Sequence, residues 1–176
     1  MRTDTTDPPR AAPEDAGTAV TALYQAHSLG LIRLAVIMLG DRPSAEDVVQ
    51  DAFCGLYRRW RTLADTEKAL SYVRSSVLNG ARTVLRRRTR GRFENAGFDE
   101  PAESAESLAL VSEEHRQVLA GIRLLPDRQR EALILRYYLD LNEEQIAATM
   151  GISRGTVKST TSRGLAALGR ILGETA

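Results

Sequence analysis

The apolar residues of this chain recur three and four positions apart along nearly its whole length, and nowhere do they alternate singly as on a half-buried strand. Val20, Leu23, Tyr24, His27, Leu31, Leu34, Ala35 and Met38 trace one such stripe. Val48, Val49, Ala52, Phe53, Leu56, Tyr57 and Trp60 trace a second, and Leu70, Val73, Val77, Ala81, Val84 and Leu85 a third. This is the helical period, and no β-branched run bounded by turns competes with it. The fold class predicted is all-α. A length of 176 residues accommodates one domain or two small ones.

Charge decides between these. The net charge is only +1, but the signs are segregated. Residues 69–92 carry Arg74, Arg82, Arg86, Arg87, Arg88, Arg90 and Arg92 and no acid. Residues 93–115 carry Glu94, Asp99, Glu100, Glu103, Glu106, Glu113 and Glu114 and no Lys or Arg. A solvated helix usually mixes signs, so the basic block predicts a polyanion partner. Arg74, Leu78, Arg82 and Arg86 are four apart and share one face, with Tyr72 and Asn79 beside it. The acidic block has Gly, Ser and Pro and little apolar period, which predicts a flexible linker. The expected organisation is a disordered tail over 1–17, rich in Pro, Thr and Asp, a helical domain over 18–90, an acidic linker over 91–113, and a second helical domain over 114–173.

Local signals fill in the elements. Gly30 is a place where the first helix could bend or divide. Gly40-Asp41-Arg42-Pro43 is a turn, and Ser44 with Asp47 reads as the cap of the next helix. Glu46, Asp47, Gln50 and Asp51 then form a polar face, ordinarily a solvated one. Residues 61–68 read as a polar loop. Pro126 and Asp127 open a helix, Asn142 with Gln145 makes a capping box for another, and Ser153 caps the last, with Val157, Leu165, Leu168 and Leu172 expected to be buried. Asn142–Arg163 reads as a helix-turn-helix. Ala147 permits close helix approach, Gly151 supplies the left-handed turn, and Val157 packs back on the first helix. The second helix then presents Arg154, Lys158, Ser159, Ser162 and Arg163, a set without an acid that suits guanine edges and phosphates in a major groove.

Taken in order, these residues resemble the extracytoplasmic-function sigma factors of the sigma-70 family, of the actinobacterial sigma-E-like type. The resemblance covers about residues 18–172. It rests on Ala45-Glu46-Asp47-Val48-Val49-Gln50-Asp51-Ala52-Phe53, on Tyr72-Val73-Arg74 with Asn79, Ala81-Arg82 and Arg86-Arg87-Arg88, and on Leu125 to Glu131, Arg136-Tyr137-Tyr138, Ile146-Ala147 and Gly155-Thr156-Val157-Lys158-Ser159. The resemblance implies an alternative sigma factor that binds core RNA polymerase and directs promoter melting. Glu46, Asp47, Gln50 and Asp51 would meet the beta-prime clamp. Tyr72, Arg74, Asn79, Arg82, Arg86 and Arg87 would contact the −10 element, with the 61–68 loop holding a flipped base. Arg154, Lys158, Ser159, Ser162 and Arg163 would read the −35 element, and the second domain would reach the beta flap. An anti-sigma factor is a further partner common in such a family. The chain departs from the family's pattern at Thr160, where many members have Arg, at Thr161, where they have Leu or Ile, and at Gly80, where a side chain is usual.

Other classes fit less of the chain. A stand-alone helix-turn-helix regulator accounts for 116–172 but not for the arginine helix upstream. An enzyme would need a nucleophile and base, a glycine-rich phosphate loop or a metal cluster, and His27 and His115 lie far apart without partners. An anti-sigma or adaptor protein would be expected to show a membrane segment or a zinc site. No cofactor is expected. Cys54, the single cysteine, falls on an apolar stripe and reads as a small core residue. The longest near-apolar run, Leu29 to Leu39, contains Arg33 and is shorter than the ~20 residues a membrane span needs. A cytoplasmic protein is expected.

Overall fold

The computed structural model describes residues 15–63, 65–94 and 113–175. Among them every regular element is helical. Helices α1 (Asp15–Leu39), α2 (Arg42–Leu63) and α3 (Thr66–Glu94) pack pairwise on one another. Helices α4 (Glu113–Leu124), α5 (Asp127–Leu133), α6 (Glu143–Met150) and α7 (Arg154–Thr175) make the second unit, with α5 running on into one turn of π-helix, Ile134–Tyr138. Residues 95–112 of the expected 91–113 linker and most of the N-terminal tail lie outside the described residues, as does the side chain of His115.

The first unit is a three-helix bundle. Leu34, Val49, Leu56, Val73 and Val77 are fully buried at its centre. Helix α1 continues through Gly30 without dividing. Its segment Ala16–Leu39 is long and apolar enough, by length and composition, to cross a membrane. Its Leu31, Leu34, Ala35 and Met38 are instead buried in the bundle core. Gly40, at φ +82°, closes α1 in the left-handed region that glycine alone enters freely.

The cap of α2 differs from expectation. Asp41, not Ser44, opens the helix: its Oδ1 accepts the Ser44 amide at 2.9 Å. Pro43 sits in the first turn, where no backbone donor is needed. Asp41 also holds Arg88, whose Nη1 donates to the Leu39 carbonyl at 2.6 Å and whose Nη2 donates to Ser44 Oγ at 2.9 Å and to Asp41. One arginine of the basic run therefore ties the C-terminal half of α3 to the α1–α2 turn. Helix α3 runs to Glu94, past the expected domain edge, and α2 and α3 are separated only by residues 64–65, so the expected 61–68 loop is mostly helix.

Other burial expectations are corrected. Cys54 is exposed, as is Tyr57, because the α2 core stripe narrows to Val48, Val49, Ala52, Phe53 and Leu56. In α7, Val157 is buried, whereas Leu165 is 44% exposed and Leu168 and Leu172 are half-buried. The C-terminal half of α7 packs Leu168, Ile171 and Leu172 against Gly121 of α4.

Candidate nucleic-acid interface

The helix-turn-helix is built as its sequence requires. Asn142 Oδ1 accepts the Gln145 amide at 2.9 Å while Gln145 Oε1 accepts the Asn142 amide at 3.0 Å, a complete capping box at the start of α6. Gly151, at φ 66° and ψ 40°, ends it in the left-handed conformation. Ser153 Oγ accepts the Thr156 amide at 3.1 Å and starts α7. Ile146 and Val157 are buried between the two helices.

Arg154, Lys158, Ser159, Ser162 and Arg163 are all exposed on α7. Arg163 Nε donates to the Ser159 carbonyl at 3.1 Å, and Ser159 Oγ donates to the Thr156 carbonyl at 3.1 Å, so both side chains lie along the helix wall. The five residues form a basic and hydroxylic face opposite Val157. Thr160 is buried and points away from that face. It is thus a packing residue, and its lacking a guanidinium takes nothing from the exposed set. Thr161 is half-buried, and its hydroxyl has no hydrogen-bond partner.

Glu46, Asp47, Gln50 and Asp51 are all exposed along α2, opposite Val48, Val49 and Ala52. Glu46 accepts from Arg42 Nε at 2.6 Å. The face is acidic, open and carried on a helix whose other side is core, which fits it to a basic partner surface.

The arginine face of α3 is less uniform. Asn79, Arg86 and Arg87 are exposed, and Tyr72 and Arg74 are half-buried. The Tyr72 hydroxyl lies against Gly55, where an added Cβ would stand 2.9 Å away, and Arg59 lies over the Tyr72 ring, 5.8 Å from its centroid. Arg82 turns to the second unit. Its Nε and Nη2 each donate to Glu131 at 2.5 Å, and its Nη1 donates to Asn79 Oδ1 at 2.7 Å. The hydrogen bonds to Glu131 raise the Arg82 pKa above its usual value, against the opposing effect of burial. Leu78, on the same face, is fully buried.

Two features lie outside the predicted contacts. Arg58, Arg59 and Arg61 are exposed at the end of α2, with Arg59 brought to Tyr72; the Arg-Arg-Trp-Arg run is the signal for them. Glu131 is completely buried and pairs with Arg82 across 49 residues of sequence. No local pattern announces such a pairing. Among the described residues, no three His, Cys, Asp or Glu side chains gather as a metal site. His27 is half-buried in the α1 stripe, and burial, then the nearby charge of Arg74, lowers its pKa from the usual 6.5.

Comparison with known proteins aligns with this geometry. The family described as Sigma-70 region 2 matches residues 23–91, which hold α2 and most of α1 and α3. The family described as Sigma-70, region 4 matches residues 115–168, which hold the helix-turn-helix. The RNA polymerase sigma-E factor of Streptomyces coelicolor is 32% identical over 139 residues, covering 78% of this chain and 77% of that protein. The ECF RNA polymerase sigma factor SigL of Mycobacterium tuberculosis is 29% identical over 144 residues, covering 78% and 80%. Among solved structures, CnrH in complex with the cytosolic domain of CnrY shares the fold with a TM-score of 0.70 at 21% identity, covering 92% of this chain and 96% of that one. The sigma factor RpoE in complex with the anti-sigma factor NepR from Bartonella quintana shares it with a TM-score of 0.67 at 22% identity, covering 91% and 95%.

Proposed function

This chain belongs to the extracytoplasmic-function sigma factors of the sigma-70 family, which direct RNA polymerase to promoters and start transcription, and from that premise we propose how its surfaces divide the work. The observation that carries the proposal is the separation of three faces: an exposed acidic one on α2, an arginine-rich one on α3 of which Asn79, Arg86 and Arg87 are exposed, and an exposed basic, acid-free one on α7. In this reading Glu46, Asp47, Gln50 and Asp51 dock on the beta-prime clamp of core polymerase. Tyr72, Arg74, Asn79, Arg82, Arg86 and Arg87 hold the −10 region, where capturing an unstacked strand needs a basic track and an aromatic surface. Arg154, Lys158, Ser159, Ser162 and Arg163 enter the major groove at the −35 element. The unit from α4 to α7 meets the beta flap, and the acidic segment between the units follows the polymerase's nucleic-acid path. The domain limits of 18–90 and 114–173 belong to the same proposal.

The chain itself performs no chemistry in this scheme. Bond formation belongs to the polymerase, and the work takes place in the cytoplasm. An anti-sigma factor is the partner of RpoE in one solved structure of like fold, and one for this chain is part of the proposal.

Core binding tests it most directly. Asp51 is exposed, so Asp51→Arg is expected to keep the fold and weaken binding to core polymerase by about tenfold, the size of one good charge pair at an interface edge. A matching reversal on the clamp is expected to recover part of the loss. Unchanged affinity in Asp51→Arg would remove this face from the interface. A stand-alone helix-turn-helix regulator would bind duplex DNA alone and give no run-off product dependent on added core enzyme.

A further inference from the structure

The last two turns of α2 carry charge that neither the core nor the helix end explains. Arg58, Arg59 and Arg61 are exposed there. Residues 52–64 hold no acid, and no carboxylate among the described residues pairs with any of the three. Arg61 lies in the last turn, where a cation offsets the helix dipole. Arg58 and Arg59 lie before it. Arg59 is nonetheless held in place: its guanidinium stands over the ring of Tyr72 on α3, 5.8 Å from the centroid.

The ring is held in turn by α2. Gly55 and Arg59 are four apart, so both reach the same neighbour on α3. The Tyr72 hydroxyl lies over Gly55, where an added Cβ would stand 2.9 Å from it. A glycine weakens a helix interior, and here it makes the seat for that hydroxyl. Tyr72 is thus half-buried, with its hydroxyl end against α2 and Arg59 over its face. A ring so placed cannot offer that face to a base. An arginine set against a ring by its face, in contrast, keeps N–H donors at its edge for a second partner. Fixing the side chain beforehand also spares the entropy that a free arginine loses on binding.

We propose that Arg59 is a further phosphate contact for the melted strand, and that Tyr72 is the residue that positions it rather than a surface on which a base stacks. The strand track then crosses from α3 on to the end of α2. The inference rests on the reading of α3 as the −10 face, and it narrows the part that Tyr72 plays there. Backbone phosphates carry no sequence information, so Arg59 contributes affinity and not promoter choice.

The test uses the full chain bound to core polymerase and a labelled single-stranded oligonucleotide carrying the −10 region of a promoter selected from a random pool by run-off transcription. Arg59→Ala is expected to leave core binding unchanged and to bind the strand about tenfold more weakly. It is also expected to lower the salt slope by about 0.7, the share of one phosphate on a single strand. A methylphosphonate scan, which neutralises one phosphate at a time, is expected to show a position at which wild type loses affinity and Arg59→Ala does not. Tyr72→Leu, which keeps apolar bulk and removes the ring, is expected to reproduce the loss, the slope and the silent position. The double variant is expected to bind no more weakly than either single one. Tyr72→Phe, which keeps the ring, is expected to restore binding to near wild type. Losses that add in the double variant, or a wild-type slope in Tyr72→Leu, assign the ring to a base and overturn the positioning. Unchanged strand binding by Arg59→Ala while Arg86→Ala and Arg87→Ala weaken it overturns Arg59 as a contact and leaves the −10 reading standing. Unchanged binding by all three overturns that reading and the inference with it. Should Tyr72→Leu lose its fold, shown by its circular dichroism, Gly55→Ala, whose methyl displaces the hydroxyl end of the ring, carries the same comparison.

Discussion

A glycine inside a helix costs about 1 kcal/mol relative to alanine, and Gly80 sits in the middle of α3. Its reason is contact: a Cβ there would stand 2.8 Å from Val48 Cγ1, so the α2 and α3 backbones approach as closely as they do only because the side chain is missing. Gly80→Ala is therefore expected to gain helix propensity and lose more to overpacking, which costs about 1–3 kcal/mol in a filled core. A lower midpoint of chemical denaturation checks this, and a higher one would mean that Val48 moves aside. Thr161 presents the opposite case. The residue is half-buried, but its hydroxyl oxygen is buried and has no partner, so it carries the penalty of a desolvated polar group. Thr161→Val keeps the shape and removes the orphan, and is expected to stabilise the chain by about 1 kcal/mol in the same assay. Arg88 shows how residue type can mislead. It belongs to the most basic run of the chain, yet its guanidinium is used on Leu39, Asp41 and Ser44.

At the scale of one element, α7 sorts its exposed residues by the kind of contact each can make. Arg154 stands in the first turn, where the helix N-terminus already favours phosphate. Lys158 and Arg163 lie further along the exposed face, and in the proposed reading they contact base edges. Run-off transcription from promoters randomised across the −35 hexamer separates the two roles. A base contact removed by Lys158→Ala or Arg163→Ala is expected to relax preference at one position, a change of about 1–3 kcal/mol in discrimination, whereas a phosphate contact would weaken every sequence alike and reduce the salt dependence. Preferences identical to wild type in both variants would leave these residues as phosphate anchors. The ends of α6 were readable locally, because the capping box and Gly151 act within a few residues of each other. The start of α2 was not, since Asp41 and Ser44 are both good caps and the choice of Asp41 is reinforced by Arg88 from α3.

The whole molecule sets the protonation of groups that local sequence leaves ordinary. Burial in the bundle and the charge of Arg74 lower the pKa of His27. Below pH 6.5 the unfolded chain then binds a proton that the folded chain resists. Stability is full above the ordinary histidine value and falls as the pH drops through it. The thermal midpoint is expected to decline from about pH 7.5 to about pH 5.5, and His27→Gln is expected to flatten that decline. Parallel curves for the two proteins would assign the loss to another group. Asp41 acts in a lower window. Burial would raise its pKa, but the Ser44 amide, the side-chain hydrogen bonds from Arg88 and Ser44 and the Arg88 charge together hold it below its usual value, so its contribution is present above the ordinary carboxylate range and is lost in stronger acid.

Helical class, the position of the helix-turn-helix, the acidic face of α2 and the five exposed residues of α7 were legible in the sequence. Each depends on a period or a cap acting over one or two turns, and neighbours in sequence are neighbours in space on that scale. Cys54, Tyr57 and Leu165 were misread because a stripe seen in sequence has no width: how much of it is covered depends on the size and angle of the helix packed against it. The same limit hid the fate of the arginine face. A polyanion-binding helix and a helix paired with a buried glutamate carry the same residues at the same spacing. Only the approach of two units distant in sequence decided that Arg82 meets Glu131.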